Sequence, residues 1–277
     1  MNSSASQFPA LEEWQETREA LHAYTRVLGA IRRTYSPPHP KWWHASLLPY
    51  TSGLSTTNIP HPVKAEKTFS VSLELRNHYA LFSNSEGFVE QVRICEGISA
   101  NELFQALSEF MEQDGIEGEV DRSKFESDQH FEYSIDKAEK YFLALSRIAK
   151  VFNAVNTGFD GEKSPVQLWP HHFDLSFEVF GNQQAEYEED GETKSSPSQI
   201  GIGFAPFDGQ ISEPYFYINP FPFKEEIIQK ALVKGASWHT DSWKGAFLPY
   251  EAVLENGEDL LGEFLSSTLQ IQLPSIR

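Results

Sequence analysis

H-F-D-L-S-F-E-V, residues 172–179, decides the fold class. Phe173, Leu175, Phe177 and Val179 alternate with His172, Asp174, Ser176 and Glu178. Such a period of two lays one face of a strand on a core and leaves the other polar. Strands buried on both faces, as in parallel sheets, read instead as unbroken apolar runs, so the alternation indicates an antiparallel sheet. Phe69, Val71, Leu73 and Leu75 alternate with Ser70, Ser72 and Glu74 in the same way. Short apolar runs at 79–82 and 88–94, parted by the turn-forming N-S-E-G at 84–87, extend that strand into a meander. Later, Ile200, Ile202 and Phe204 alternate with glycines, and 215–218 reads as a further strand.

Helices separate these strands. Trp14, Leu21, Tyr24, Leu28 and Ile31 share one face of a first helix. Glu12 and Glu13 stand at its start, Arg32 and Arg33 at its end, and Pro37 and Pro38 stop it. Ser99 and Glu102 form a capping box ahead of Leu103, Leu107, Phe110 and Met111. Tyr141, Leu145, Ile148 and Phe152 mark a third helix. Ile227, Ile228, Ala231 and Leu232, opened by Pro222 and closed by Gly235, predict a fourth, and a last one falls near 257–270.

The order helix, Pro loop, Trp, strands, helix occurs twice. R-V-L-G-A-I from Arg26 parallels R-I-A-K-V-F from Arg147, and W-W-H-A-S-L from Trp42 parallels W-P-H-H-F-D-L from Trp169. The expectation is an α+β protein of two tandem pseudo-repeats, 1–125 and 126–277, the second carrying the C-terminal helix. Residues 181–198 interrupt the pattern with clustered acids and no apolar period, and read as a hairpin tip. Their oxygens lack the alternate spacing of an EF-hand calcium loop.

Composition narrows the partners. Twenty-two basic against 40 acidic side chains leave a net charge of −18, opposite to what a nucleic-acid backbone or an anionic membrane attracts. The one cysteine, Cys95, allows no internal disulfide and no Cys-based zinc cluster. No apolar run approaches the ~20 residues of a membrane helix, and the first residues lack a secretory signal, so a cytoplasmic protein is expected.

No nucleotide-binding, hydrolase-elbow or zincin motif occurs. Candidate chemistry rests on two motifs. W-P-H-H-F-D sets His172 and Asp174 two apart, hence on one side of a strand, and W-H-T-D sets His239 beside Asp241 just after a helix. Paired imidazole and carboxylate suit a divalent metal, or a base held in one tautomer. His172, Asp174 and His239 are therefore the candidate catalytic residues. Trp169, Trp238, Asp241, Trp243, Tyr215 and Tyr217 are expected to line the ligand site. P-Y-F-Y-I-N-P-F-P-F, residues 214–223, packs aromatics among prolines and reads as an edge strand or rim.

W-P-H-H-F-D, P-Y-F-Y and W-H-T-D-x-W-x-G-A-x-L-P-Y (238–250), in this order, resemble an uncharacterised bacterial family described only as a domain of unknown function. The resemblance runs over nearly the whole chain and implies no reaction. An enzyme with a metal or acid–base site, a non-catalytic small-molecule binder and a protein that docks a basic partner all fit these residues.

Overall fold

The computed structural model describes residues 7–189 and 191–277, a mixed α+β chain of four helices and two antiparallel sheets. Two compact units divide it. One comprises 11–146 with 167–173, the N-terminal unit below; the other comprises 147–166 and 174–277 with residues 7–10, the C-terminal unit.

In the N-terminal unit, helix α1 (Gln15–Tyr35) buries the predicted stripe, with Tyr24, Leu28 and Ile31 fully enclosed. Each such side chain contributes about 1.5–3 kcal/mol on leaving water. The Tyr24 hydroxyl donates to the Ile98 carbonyl at 2.8 Å, so its polar end is satisfied as well. Five strands follow in sequence order, β1 (Leu48–Tyr50), β2 (Gly53–Ser55), β4 (Thr68–Glu74), β5 (Tyr79–Asn84) and β6 (Val89–Arg93), with β3 (Ile59–Pro60) beside β4. Every pairing is antiparallel. Helix α2 (Ala100–Gln113) starts at the predicted capping box: the Ser99 hydroxyl accepts from the Glu102 amide at 3.1 Å, and Glu102 accepts from the Ser99 amide at 2.8 Å. Strand β7 (Gln167–Trp169) returns to this unit through reciprocal bonds between Leu47 and Leu168.

Helix α3 (Ile135–Gly158) carries the chain onward. The sheet of the C-terminal unit runs β11 (Ser237–His239), β12 (Gly245–Pro249), β10 (Tyr215–Phe221), β9 (Glu192–Ala205), β8 (Asp174–Glu189). Leu175, Phe177, Ile202, Phe204, Phe216, Ile218 and Leu248 face its core, as the alternation requires. Helix α4 (Glu251–Gln272) is interrupted at Gly257 (φ 63°) and buries Leu261, Phe264 and Leu265.

Four expectations need correction. The hairpin read at 181–198 is present but its tip is narrower than expected: beyond a register shift between Phe180 and Gln184, β8 and β9 stay paired from Gln184↔Pro197 to Glu189↔Glu192. Backbone pairing needs no apolar period, so the side-chain pattern did not mark how far the strands run. Position 190, within the acidic run, lies outside the described residues. Instead of a helix over 222–235 there is a short 3-10 turn, Glu225–Gln229, in which only Ile227 is buried. Without an apolar face to pack, a helix there cannot offset its nucleation cost. Hence W-H-T-D follows no helix: His239 ends β11, and Asp241 is exposed in the next loop. Finally, β10 is not an edge strand but lies between β9 and β12. Its proline is tolerated because β12 pairs only with Tyr215 to Ile218, which leaves Pro220 bonded on one side alone.

Candidate functional site

The candidate residues fall into two groups, one in each unit. In the C-terminal unit, Asp174, Tyr215, Tyr217 and His239 stand on the sheet face away from the core. Gly203 pairs with both Ser176 and Tyr217, and a Cβ on it would come within 2.2 Å of the Tyr217 ring. The glycine therefore lets that ring lie flat across β9, and the Tyr217 hydroxyl donates to Asp174 Oδ2 at 2.5 Å. The Tyr215 hydroxyl donates to Asp208 Oδ2 at 2.6 Å. Burial, then the neighbouring carboxylates, push both phenols above their ordinary range, so they act as donors and not as bases. Although partial burial opposes it, Asp208 is held below the usual carboxylate value by the Tyr215 hydroxyl and the amides of Ile211 and Gln210, with His239 adding to the effect.

Trp243 stacks on Tyr215 (5.9 Å, 10°) and on His239 (4.3 Å, 16°), so three rings form one pile. His239 Nδ1 lies 2.8 Å from the Trp243 carbonyl. An oxygen acceptor there requires the proton on Nδ1, so in the neutral ring Nε2 is the acceptor. Trp238 belongs elsewhere: its indole donates to the Lys230 carbonyl at 2.9 Å and ties β11 to the 3-10 turn.

His172 does not share a strand with Asp174. Residues 170–173 form a turn in which the amides of His172 and Phe173 both reach the Trp169 carbonyl, and Phe173 takes φ 61°. The left-handed residue breaks the two-residue period just before β8 begins. This turn is held in the N-terminal unit. Phe173 is fully buried against His22 and Tyr141, and His22 Nε2 bonds the Pro170 carbonyl at 3.0 Å.

Here the two tryptophan motifs meet. W-W-H forms a 3-10 turn, Trp43–Ala45, with Trp42 left-handed (φ 60°) and 61% exposed. Trp42 and Ala45 line one side of a cavity of about 500 Å³; Trp169, Pro170, His171 and His172 line another. Helix α1 supplies the floor through Gly29, where a Cβ would come within 2.5 Å of Pro170 Cγ, so only glycine permits the approach. Arg26, Arg33, Asp121 and Lys124 complete the lining. Partial burial, then the charges of His172 and Arg26, lower the pKa of His171 to about 4, and burial followed by Arg26 lowers that of His22 to about 4. Both imidazoles are neutral at neutral pH.

Sequence reasoning paired the two tryptophan motifs as repeats without seeing that they face one cavity. It passed over Lys124 and Asp208 altogether. Arg26 was legible only as one end of R-V-L-G-A-I. Its helical neighbour Gly29, three positions on and on the same face, was the available signal. Among the described residues no three His, Cys, Asp or Glu side chains gather to hold a metal ion.

No curated protein and no solved structure matches the chain. The model of a family of unknown function (DUF5996) matches residues 8–273, nearly the whole length, and the chain belongs to that family.

Proposed function

We propose that the protein binds a small organic molecule with a flat apolar body in the cavity of the N-terminal unit. One observation carries this reading: Trp42, just before a 3-10 turn, and Trp169, at the end of β7, are far apart in sequence yet wall the same cavity of about 500 Å³. That volume is in the range of small-molecule sites, which are mostly apolar with a few placed polar groups. His171 and His172 are those groups on the turn side. Ligand-observed NMR with a library of flat aromatic fragments tests the proposal. Binding should be seen with the intact protein and lost in Trp169→Ala, with thermal unfolding as the check on folding. Equal binding by both proteins would refute it.

A second reading, acid–base catalysis, draws on the C-terminal unit. His239 presents Nε2 as an acceptor while its other nitrogen is fixed, and Asp174 and Asp208 are held by tyrosines nearby on that face. Hydrolysis of a panel of activated esters, compared with His239→Asn, tests it; the variant keeping all activity would end it.

The proposal retains an ancient duplication and a cytoplasmic location. Each unit is an antiparallel sheet with helices, which supports the first, although β12 precedes β11 across the second sheet whereas the first runs in sequence order. Superposing 1–120 on 130–256, and fractionating cells, test the two points.

A further inference from the structure

Resting on the reading just given, we infer that the ligand of this cavity is an organic dianion, a phosphate monoester or dicarboxylate, whose charge is met by Arg26. The chain as a whole carries −18, yet three of the residues lining the cavity are cationic and one is acidic. Arg33 is already engaged, its guanidinium 2.6 Å from Asp121 Oδ2. Arg26 is not. It is half-buried on α1 and makes no hydrogen bond or ion pair among the described residues; the one acidic charge that reaches it, Glu19, is itself 2.9 Å from the Arg18 guanidinium. Lys124 is likewise without an ion pair at the cavity wall.

A guanidinium drawn out of water without a partner costs free energy, which an anion returns on binding. Its five donors sit in a rigid fork that matches a carboxylate or phosphate edge, and an ammonium opposite adds a second positive charge. With Arg33 and Asp121 offsetting each other, the charges of Arg26 and Lys124 remain to be met. The ring of the ligand lies toward the tryptophans and its charged end toward α1. Protein surfaces that bind polyanions spread their cations over an open face; here they surround a cavity, so a small molecule is selected over a polymer.

The experiment is calorimetric titration at pH 7.5 with four probes: phenyl phosphate, benzoate, benzyl alcohol and inorganic phosphate. Above a second pKa of about 6 the phosphate ester is a dianion. Phenyl phosphate should bind most tightly, benzoate less and benzyl alcohol least. Arg26→Gln should weaken phenyl phosphate by about tenfold or more, the usual worth of a charge-assisted hydrogen bond, while leaving benzyl alcohol unchanged. Arg26→Lys should recover part of the loss, and Lys124→Gln, at an exposed position, serves as a second variant with no demand on folding. Benzyl alcohol binding as tightly as phenyl phosphate, with no effect of Arg26→Gln, would overturn the anion inference and leave the small-molecule reading intact. Inorganic phosphate binding as tightly as phenyl phosphate would overturn the organic ligand class. If none of the four binds, both readings fall.

Discussion

Gly29→Ala and Gly262→Ala are the same chemical change on two helices, and the structure assigns them opposite signs. Replacing a helical glycine by alanine gains about 0.8–1.0 kcal/mol, since glycine loses more backbone freedom on folding. At Gly262, in α4, nothing beyond its chain neighbours and the helix's own backbone lies within 4 Å of the added methyl, so the full gain of about 1 kcal/mol is expected. At Gly29 the methyl would stand 2.5 Å from Pro170 Cγ, 2.9 Å from Pro170 Cβ and 3.4 Å from the Ala45 carbonyl. Ordinary carbon–carbon contact is about 3.5–4.0 Å, so the turn must retreat by about 1 Å. A proline ring cannot swing aside as a flexible side chain would, and Phe173, buried in the left-handed region, anchors the far end of that turn. Overpacking of this kind costs about 1–3 kcal/mol. Set against the helix gain, Gly29→Ala should be destabilised by up to about 2 kcal/mol, and the two variants should differ by about 1–3 kcal/mol. Equilibrium urea unfolding followed by far-UV circular dichroism measures both, with unchanged m-values required for comparison. Gly29→Ala gaining as much stability as Gly262→Ala would show that the turn does not press on α1, and the floor assigned to the cavity would be wrong.

Arg26→Met should raise thermal stability by about 0.5–1 kcal/mol while removing anion binding, the trade expected of a functional charge without a structural partner; a loss of stability would mean that Arg26 serves the fold. His22 titrates near 4 when folded and near 6.5 when unfolded, so the unfolded chain binds more protons between those values. Stability should therefore be full above pH 6.5 and fall as pH drops toward 4, by about 1–3 kcal/mol from this residue. Urea midpoints against pH should show a shallower slope in His22→Gln, and an unchanged slope would refute the assignment. Tyr217→Phe should cost about 1–2 kcal/mol, because a buried hydroxyl's short bond to Asp174 is lost. No loss in denaturant unfolding would contradict that. Deleting 185–195 and closing the hairpin with a two-residue turn should cost under about 2 kcal/mol, since Ala185 is the one buried side chain among the described residues of that segment; a larger loss by the same assay would show that the arm packs.

Periodicity alone determined most of the scaffold. Tyr24, Leu28 and Ile31 had to face a core because a 3.6-residue repeat places them on one stripe, and Phe69, Val71 and Leu73 had to do so because a strand alternates. The capping box at Ser99 was equally legible, being a contact between neighbours in the chain. What failed was whatever depended on partners distant in sequence. The 184–197 segment pairs through its backbone, which side-chain pattern does not encode. The apolar residues at 227–232 look helical, yet only Ile227 is buried.

The candidate site was read in fragments for the same reason. Tyrosine, aspartate, histidine and tryptophan were identifiable as residue types, but Tyr217 meets Asp174, and His239 meets Trp243, only through strand register and loop closure. A single left-handed residue, Phe173, ended the alternation and assigned His172 to a turn. The cavity depended on four separated segments, 26–33, 42–45, 121–124 and 169–172, brought together where one glycine lets a proline against a helix. Local sequence fixes which face of an element is apolar, because that preference is a property of the element itself. Which polar groups then share a cavity is decided by packing, since it depends on the shapes of partners that the local pattern does not name.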